Sequence, residues 1–154
     1  MRAFLEFRCS VESEVAAHAA RRADPEAIEA IRQARRRLEE EVARGEAALE
    51  TDVAFHHAIA RASGNRFFLA TLEAFREQMI FGIRLTRELA GLPSLDRRPE
   101  ISREHTRIAT AIELGDDDAA RKAMADHLHG GKRPGSASIR SNTASPKART
   151  SFLA

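Results

Sequence analysis

The sequence predicts an all-α fold, an antiparallel bundle of about six helices, and three observations carry that prediction. Apolar residues recur at spacings of three and four along most of the first 130 residues, the period of one helix face. No stretch alternates apolar and polar in the manner of a strand, and no Asn-Gly pair marks a hairpin. The apolar runs are separated by short segments holding Asp, Pro, Gly and Asn, which start and stop helices, and short loops place consecutive helices antiparallel. At 154 residues the chain is long enough for one domain with a hydrophobic core. Residues 1–130 are expected to form it.

A first helix is expected from about residue 4 to 22, where Leu5, Arg8, Glu12, Val15 and Ala19 share a face. Asp24 and Pro25 are an N-cap and a first-turn proline, so a second helix runs to about Arg44 and stops at Gly45. The third begins near Glu46 and ends at "SGN", where Gly64 or Asn65 takes the left-handed C-terminal position. A long fourth helix is expected from about Arg66 to Ala90, with Phe68, Leu72, Phe75, Met79 and Ile83 as its apolar stripe, until "GLPSLDRRP" breaks it. The fifth covers about Glu100 to Leu114 and is closed by Gly115. The sixth opens at Asp116 and runs to about His129 or Gly130.

Composition narrows the function classes. Cys9 is the only cysteine, which excludes an internal disulfide framework and a thiolate-rich zinc module and fits a reducing compartment. The opening "MRAFLEFRCSVESE" meets charges every few residues, and no later run is apolar enough for a membrane span, so a soluble cytoplasmic protein is expected. The formal charge is +2, from 25 bases against 23 acids. Five of those bases (Lys132, Arg133, Arg140, Lys147, Arg149) lie in residues 131–154, which hold no acid, so the rest of the chain carries 20 bases against 23 acids. The basic excess therefore belongs to a Ser-, Gly-, Ala- and Pro-rich segment, 131–154, expected to be a disordered tail. The densest basic run, "RQARRR" at 32–37, is interleaved with acids and reads as a solvated helix face rather than a nucleic-acid footprint.

The informative residues are polar ones on core-facing stripes. In the third helix Asp52, Phe55, His56 and Ile59 follow the i, i+3, i+4, i+7 pattern, so an acid and an imidazole stack on the inward face. Burying an acid is costly unless something pairs with it. His105 shares a face with Ile108, Ala109 and Ile112 in the fifth helix, and His127 with Ala120, Ala123 and Met124 in the sixth. Singly, each has a bland reading as a hydrogen-bonded core residue. Convergence from three helices points to a metal site, since bundles build such sites from facing helices. One Asp and three His supply four ligands suited to a divalent transition metal, zinc first, with nickel, manganese or iron as alternatives. An octahedral ion would keep two positions open.

Three segments also carry a family resemblance. "FLEFRCSVESEVAAHAARRA", "DVAFHHAIARASGN" and "EHTRIATAIELGDDDAARKAMADHL" resemble the C-terminal ligand-binding domain of FadR-type regulators in the GntR family, the FCD domain, over about residues 4–129. The resemblance implies an all-helical antiparallel bundle whose metal-binding branch uses the positions of Asp52, His56, His105 and His127. It further implies that the metal helps hold a small carboxylate effector, an organic or sugar acid. Open positions on the ion would accept effector oxygens while a guanidinium fixes the rest of the anion. Arg8, which matches the family's first-helix "FR", is the first candidate for that role; its alternative is an internal pair with Glu12. Arg76 and Arg84, beside the apolar stripe of the fourth helix, are further candidates.

His57 steps about 100° from His56 and should face away, His18 and His129 should be surface residues, Asn65 should only end a helix, and Cys9 should be a small core residue. Two departures from the family stand out. Only three residues precede Phe4, so this chain is expected to bring no winged helix-turn-helix and no DNA binding of its own. The last helix is cut short at "HLHGGKRPG", which predicts a less closed cavity or a less stable bundle. The reading is therefore an effector-sensing domain rather than an enzyme, with a homodimer as a possible assembly. Two alternatives stand beside it. One is a mononuclear metal hydrolase or lyase with Glu104 as general base, although Glu104 should point off the metal face. The other is a ligand-free helical dimerisation module in which the four polar residues satisfy one another.

Overall fold

The computed structural model describes residues 2–89 and 98–129, and among them it contains seven helices and no strand. Helix α1 (Arg2–Arg22) is followed, after Ala23 in a left-handed turn, by α2 (Pro25–Arg44). The Asp24 carboxylate accepts hydrogen bonds from the Glu26 and Ala27 amides at 3.0 and 3.1 Å, and Gly45 closes α2 at φ 85°. Helix α3 (Leu49–Ala62) begins three residues later than expected. The amide of Glu46 turns back to the Glu41 carbonyl, and Ala48 takes φ 49°, so the intervening residues are spent on the turn.

Gly64, at φ 71°, makes the turn after α3. Asn65 has a different task from the expected one: its side chain accepts from the Phe67 amide at 3.0 Å and opens the next helix. The expected long fourth helix is two, α4 (Arg66–Ala74) and α5 (Arg76–Leu89), so the described bundle has seven helices rather than six. At the break, the Phe75 amide is shared between the Thr71 and Leu72 carbonyls, and the Phe75 ring reaches α1, with centroids 5.1 Å from Phe7 and 6.1 Å from Phe4. The apolar stripe survives the break, for Leu72, Met79 and Ile83 are all buried. The breaker segment lies largely outside the described residues, but its Arg98 and Pro99 already belong to α6 (Arg98–Glu113). Gly115 at φ 71° turns the chain, and Asp116 caps α7 (Asp117–Leu128) by accepting from the Ala119 amide. The expected tail, 131–154, lies outside the described residues.

Helix α1 is the hub: it packs against α3, α6 and α7, while α2 lies across α3 and α6. Its buried hydrophobic side chains are small (Val15, Ala16, Ala17, Ala19, Ala20), which lets three helices approach it closely. Around it Phe55, Ile59, Ile108, Ile112 and Met124 are almost fully buried, each contributing roughly 1.5–3 kcal/mol of hydrophobic stabilisation. The basic run on α2 is a solvated face: Arg32 pairs with Glu113, Arg35 with Glu39 and Arg36 with Glu29. Among the described residues no helix is long and apolar enough to cross a membrane.

Candidate metal centre

The inward stripes of α3, α6 and α7 converge. Asp52, His56 and His105 are buried, His127 is partly buried, and one donor atom from each lies within 4.8 Å of the others. On an ion with bonds of ~2.1 Å, opposite donors stand about 4.2 Å apart and tetrahedral ones about 3.4 Å, so the widest pair would have to close by roughly 0.6 Å in the first case and roughly 1.4 Å in the second to share an ion. The rings interleave: His105 lies 4.6 Å from His127 and His56 5.4 Å from His127, centroid to centroid, and Phe55 closes the floor edge-on at 5.0 Å from His105.

Each imidazole has an oxygen facing its outer nitrogen. His105 Nδ1 lies 2.8 Å from the Ile101 carbonyl, so Nδ1–H donates to it. His127 Nδ1 stands in the same relation to Glu104 Oε2 at 2.9 Å. His56 Nδ1 lies 2.5 Å from Glu12 Oε2, the oxygen standing off the line of the ring N–H, so this contact is electrostatic rather than an aligned hydrogen bond. The Nε2 atoms of His56 and His105 are buried without a hydrogen-bond partner among the described residues. They stand 3.4 and 3.8 Å from Asp52 Oδ1, too oblique or too long for hydrogen bonds. Buried polar atoms are normally satisfied, and imidazole and carboxylate donors turned toward a common centre are of the chemical kind that can hold a divalent cation.

Charge follows this geometry. Burial acts to raise the Asp52 carboxyl, but the imidazoles of His105 and His56 outweigh it and hold it well below the ordinary carboxylate range. Burial acts to lower His56, yet Glu12 and Asp52 push it up to about 9. Burial dominates at His127 and, with the charges of His105 and His56, brings it down to about 4 despite Glu104. Glu12 resists its own burial through His56 and Arg8 and falls to about 2.

The remaining candidates sit differently. Arg8 is buried and forms the i, i+4 pair with Glu12, Nε to Oε1 at 2.5 Å, which links it through Glu12 to His56. Arg76 pairs with Glu50 and Glu77 on the surface, and Arg84 is exposed; neither joins the buried set. His57 does face away from the centre, but it is buried beneath α4 rather than exposed, and burial depresses its basicity. His18 and His129 are exposed, and Cys9 is half-buried, its Sγ 3.6 Å from His129 Nδ1.

Glu104 corrects the expectation that it points off the site. It is buried, and α7 packs on the flank one residue round from His105, so its carboxylate meets His127 from behind. Glu12 and Glu104 are thus the buried carboxylates behind the histidines that the spacing undervalued. Glu12 had a visible signal, its place on the Val15–Ala19 face; Glu104 had none, because nothing local says that another helix covers that flank.

Comparison with known proteins agrees with this architecture. The FCD domain family model matches residues 3–130. Over 128 residues the chain is 36% identical to a protein of Escherichia coli (strain K12) named "Putative L-lactate dehydrogenase operon regulatory protein", and equally to its namesake in Shigella flexneri. The match covers 80% of this chain and 47% of each relative, so the chain spans about half their length. With a match running from the start of α1 to the end of α7, the chain belongs to the FCD domain family.

Proposed function

We propose that this chain is the effector-sensing domain of a GntR-family transcription regulator, in which Asp52, His56, His105 and His127 hold a divalent transition metal, zinc first, that anchors a small carboxylate. The observation that carries the reading is the pair of buried, inward-facing Nε2 atoms of His56 and His105, without hydrogen-bond partners, inside a four-donor set. When bound, the metal supplies a compact positive charge for carboxylate oxygens. The chain's own residues do the rest. Asp52 contributes negative charge to the set, and Phe55 and Ile59 keep its floor dry.

The way in is past His127, the one donor residue with appreciable side-chain exposure, 14% against 5% or less for the others. Arg8, buried and one carboxylate removed from His56, is the guanidinium nearest to hand for the effector; Arg76 and Arg84 would have to leave the surface to join. The relatives' name makes L-lactate the first carboxylate to try. Homodimeric assembly in the cytoplasm belongs to the same proposal, and the exposed Phe67 on α4 and Phe81 on α5 are apolar side chains available to it.

The test is elemental analysis of the untagged protein after gel filtration. Near-stoichiometric metal is expected in the wild type, with loss in both His105→Ala and His127→Ala while far-ultraviolet circular dichroism stays helical. Unchanged metal in both variants would overturn the ligand set. Calorimetric titration of L-lactate and other small carboxylates into loaded and chelated protein then checks the anchor, since binding that survives chelation removes the metal's role.

A further inference from the structure

We propose that Glu104 is a positioning residue of this centre, fixing the ring of His127 with Nδ1–H turned outward so that Nε2 is the nitrogen presented to Asp52, His56 and His105. The metal-related part of this inference rests on the proposed function above; the orienting part does not.

Glu104 is 4% exposed, and its one hydrogen bond among the described residues goes to His127, with Oε1 left unsatisfied. Burying a carboxylate for a single bond is a poor way to join two helices, since an apolar side chain of similar size would pack between α6 and α7 without a desolvation cost. The arrangement makes sense if the bond has another consequence. A neutral imidazole carries its proton on one nitrogen, and the partner of the other nitrogen decides which. At His105 the Ile101 carbonyl makes that choice, because a backbone acceptor one turn back lies within 2.8 Å. His127 sits on a different helix, is the most exposed of the four donors and has Glu104 in the place where His105 has a carbonyl. The carboxylate therefore does for the outermost ligand what the helix backbone does for the innermost. It reaches across from α6, which ties the α7 ligand to the helix that carries His105.

The experiment uses the full chain in two variants. Glu104→Leu removes the acceptor and keeps the volume; Glu104→Gln keeps a carbonyl oxygen that can still accept from Nδ1. Long-range proton–nitrogen NMR of the chelated protein reads the tautomer of His127 without any metal. Wild type and Glu104→Gln are expected to show the Nδ1–H form and Glu104→Leu a mixture. Competition with a chromophoric chelator then reads zinc affinity, expected to weaken about 10- to 100-fold in Glu104→Leu and less in Glu104→Gln. An unchanged His127 tautomer in Glu104→Leu overturns the proposal, as does unchanged zinc affinity beside a wild type that binds. Should the wild type take up no zinc, the metal reading falls and the tautomer result alone decides the role of Glu104.

Discussion

His56 carries the clearest pH consequence at the scale of single residues. Its pKa in the folded, metal-free chain rises from 6.5 to about 9, so its contribution to stability is fully present below 6.5 and is lost as pH climbs through 9. His127 has the opposite sign. Depressed to about 4, it resists the proton that the unfolded chain accepts below 6.5, so stability declines as pH falls from 6.5 toward 4. Glu12, lowered from 4.5 to about 2, adds an acid limb: its contribution is present above 4.5 and disappears toward 2. Chelated protein should therefore show a maximum in melting temperature near pH 6.5, falling on both sides. Metal requires neutral imidazole, so loading should remove the alkaline limb and move the maximum upward. Melting curves from pH 4 to 10 with and without zinc check both statements. A chelated protein as stable at pH 9.5 as at pH 6.5 would remove His56 from the pairing described.

Elements are set by their ends. Asp24 satisfies two amides of α2, and Asp24→Ala should cost about 1 kcal/mol, read from urea denaturation. Gly115 separates backbone from packing. A Cβ there would meet only the Ala20 carbonyl at an ordinary 3.7 Å, yet the residue sits at φ 71°, so Gly115→Ala should cost about 1–2 kcal/mol through conformation alone. A neutral result would mean that the α6–α7 turn relaxes to another geometry. The caps were legible because they are local: a carboxylate before Pro25, glycines after apolar runs. The break at Phe75 was not, because neither glycine nor proline marks it. What accompanies it is the contact of the Phe75 ring with Phe4 and Phe7, some 70 residues away in the chain.

For the whole molecule, the proposed ion would join α3, α6 and α7 at the centre of the bundle, so its removal should be felt globally rather than at one helix. Saturation at roughly 100 times the dissociation constant contributes about 2.7 kcal/mol. In a domain of this size that corresponds to a rise in melting temperature of roughly 5–10 °C. Scanning calorimetry of chelated protein, before and after zinc is restored, measures it. Indifference to zinc would favour a bundle held by its apolar core alone, with Phe55, Ile59, Ile108 and Met124 sufficient.

The sequence by itself determined the helical class, most of the helix ends and the inward direction of Asp52, His56, His105 and His127. Those features follow from the 3.6-residue period and from capping chemistry, both of which act within a few residues. Only the tertiary structure decided what meets those side chains. Glu12 reaches His56 because α1 packs on α3, and Glu104 turns from an apparent outward neighbour of His105 into the partner of His127 because α7 covers that flank of α6. His57 is buried for the same reason, since α4 lies over a face that the period of α3 alone assigns to solvent. A helix period fixes which way a side chain points relative to its own helix. Which neighbour covers each remaining face is a property of packing, and packing is not local.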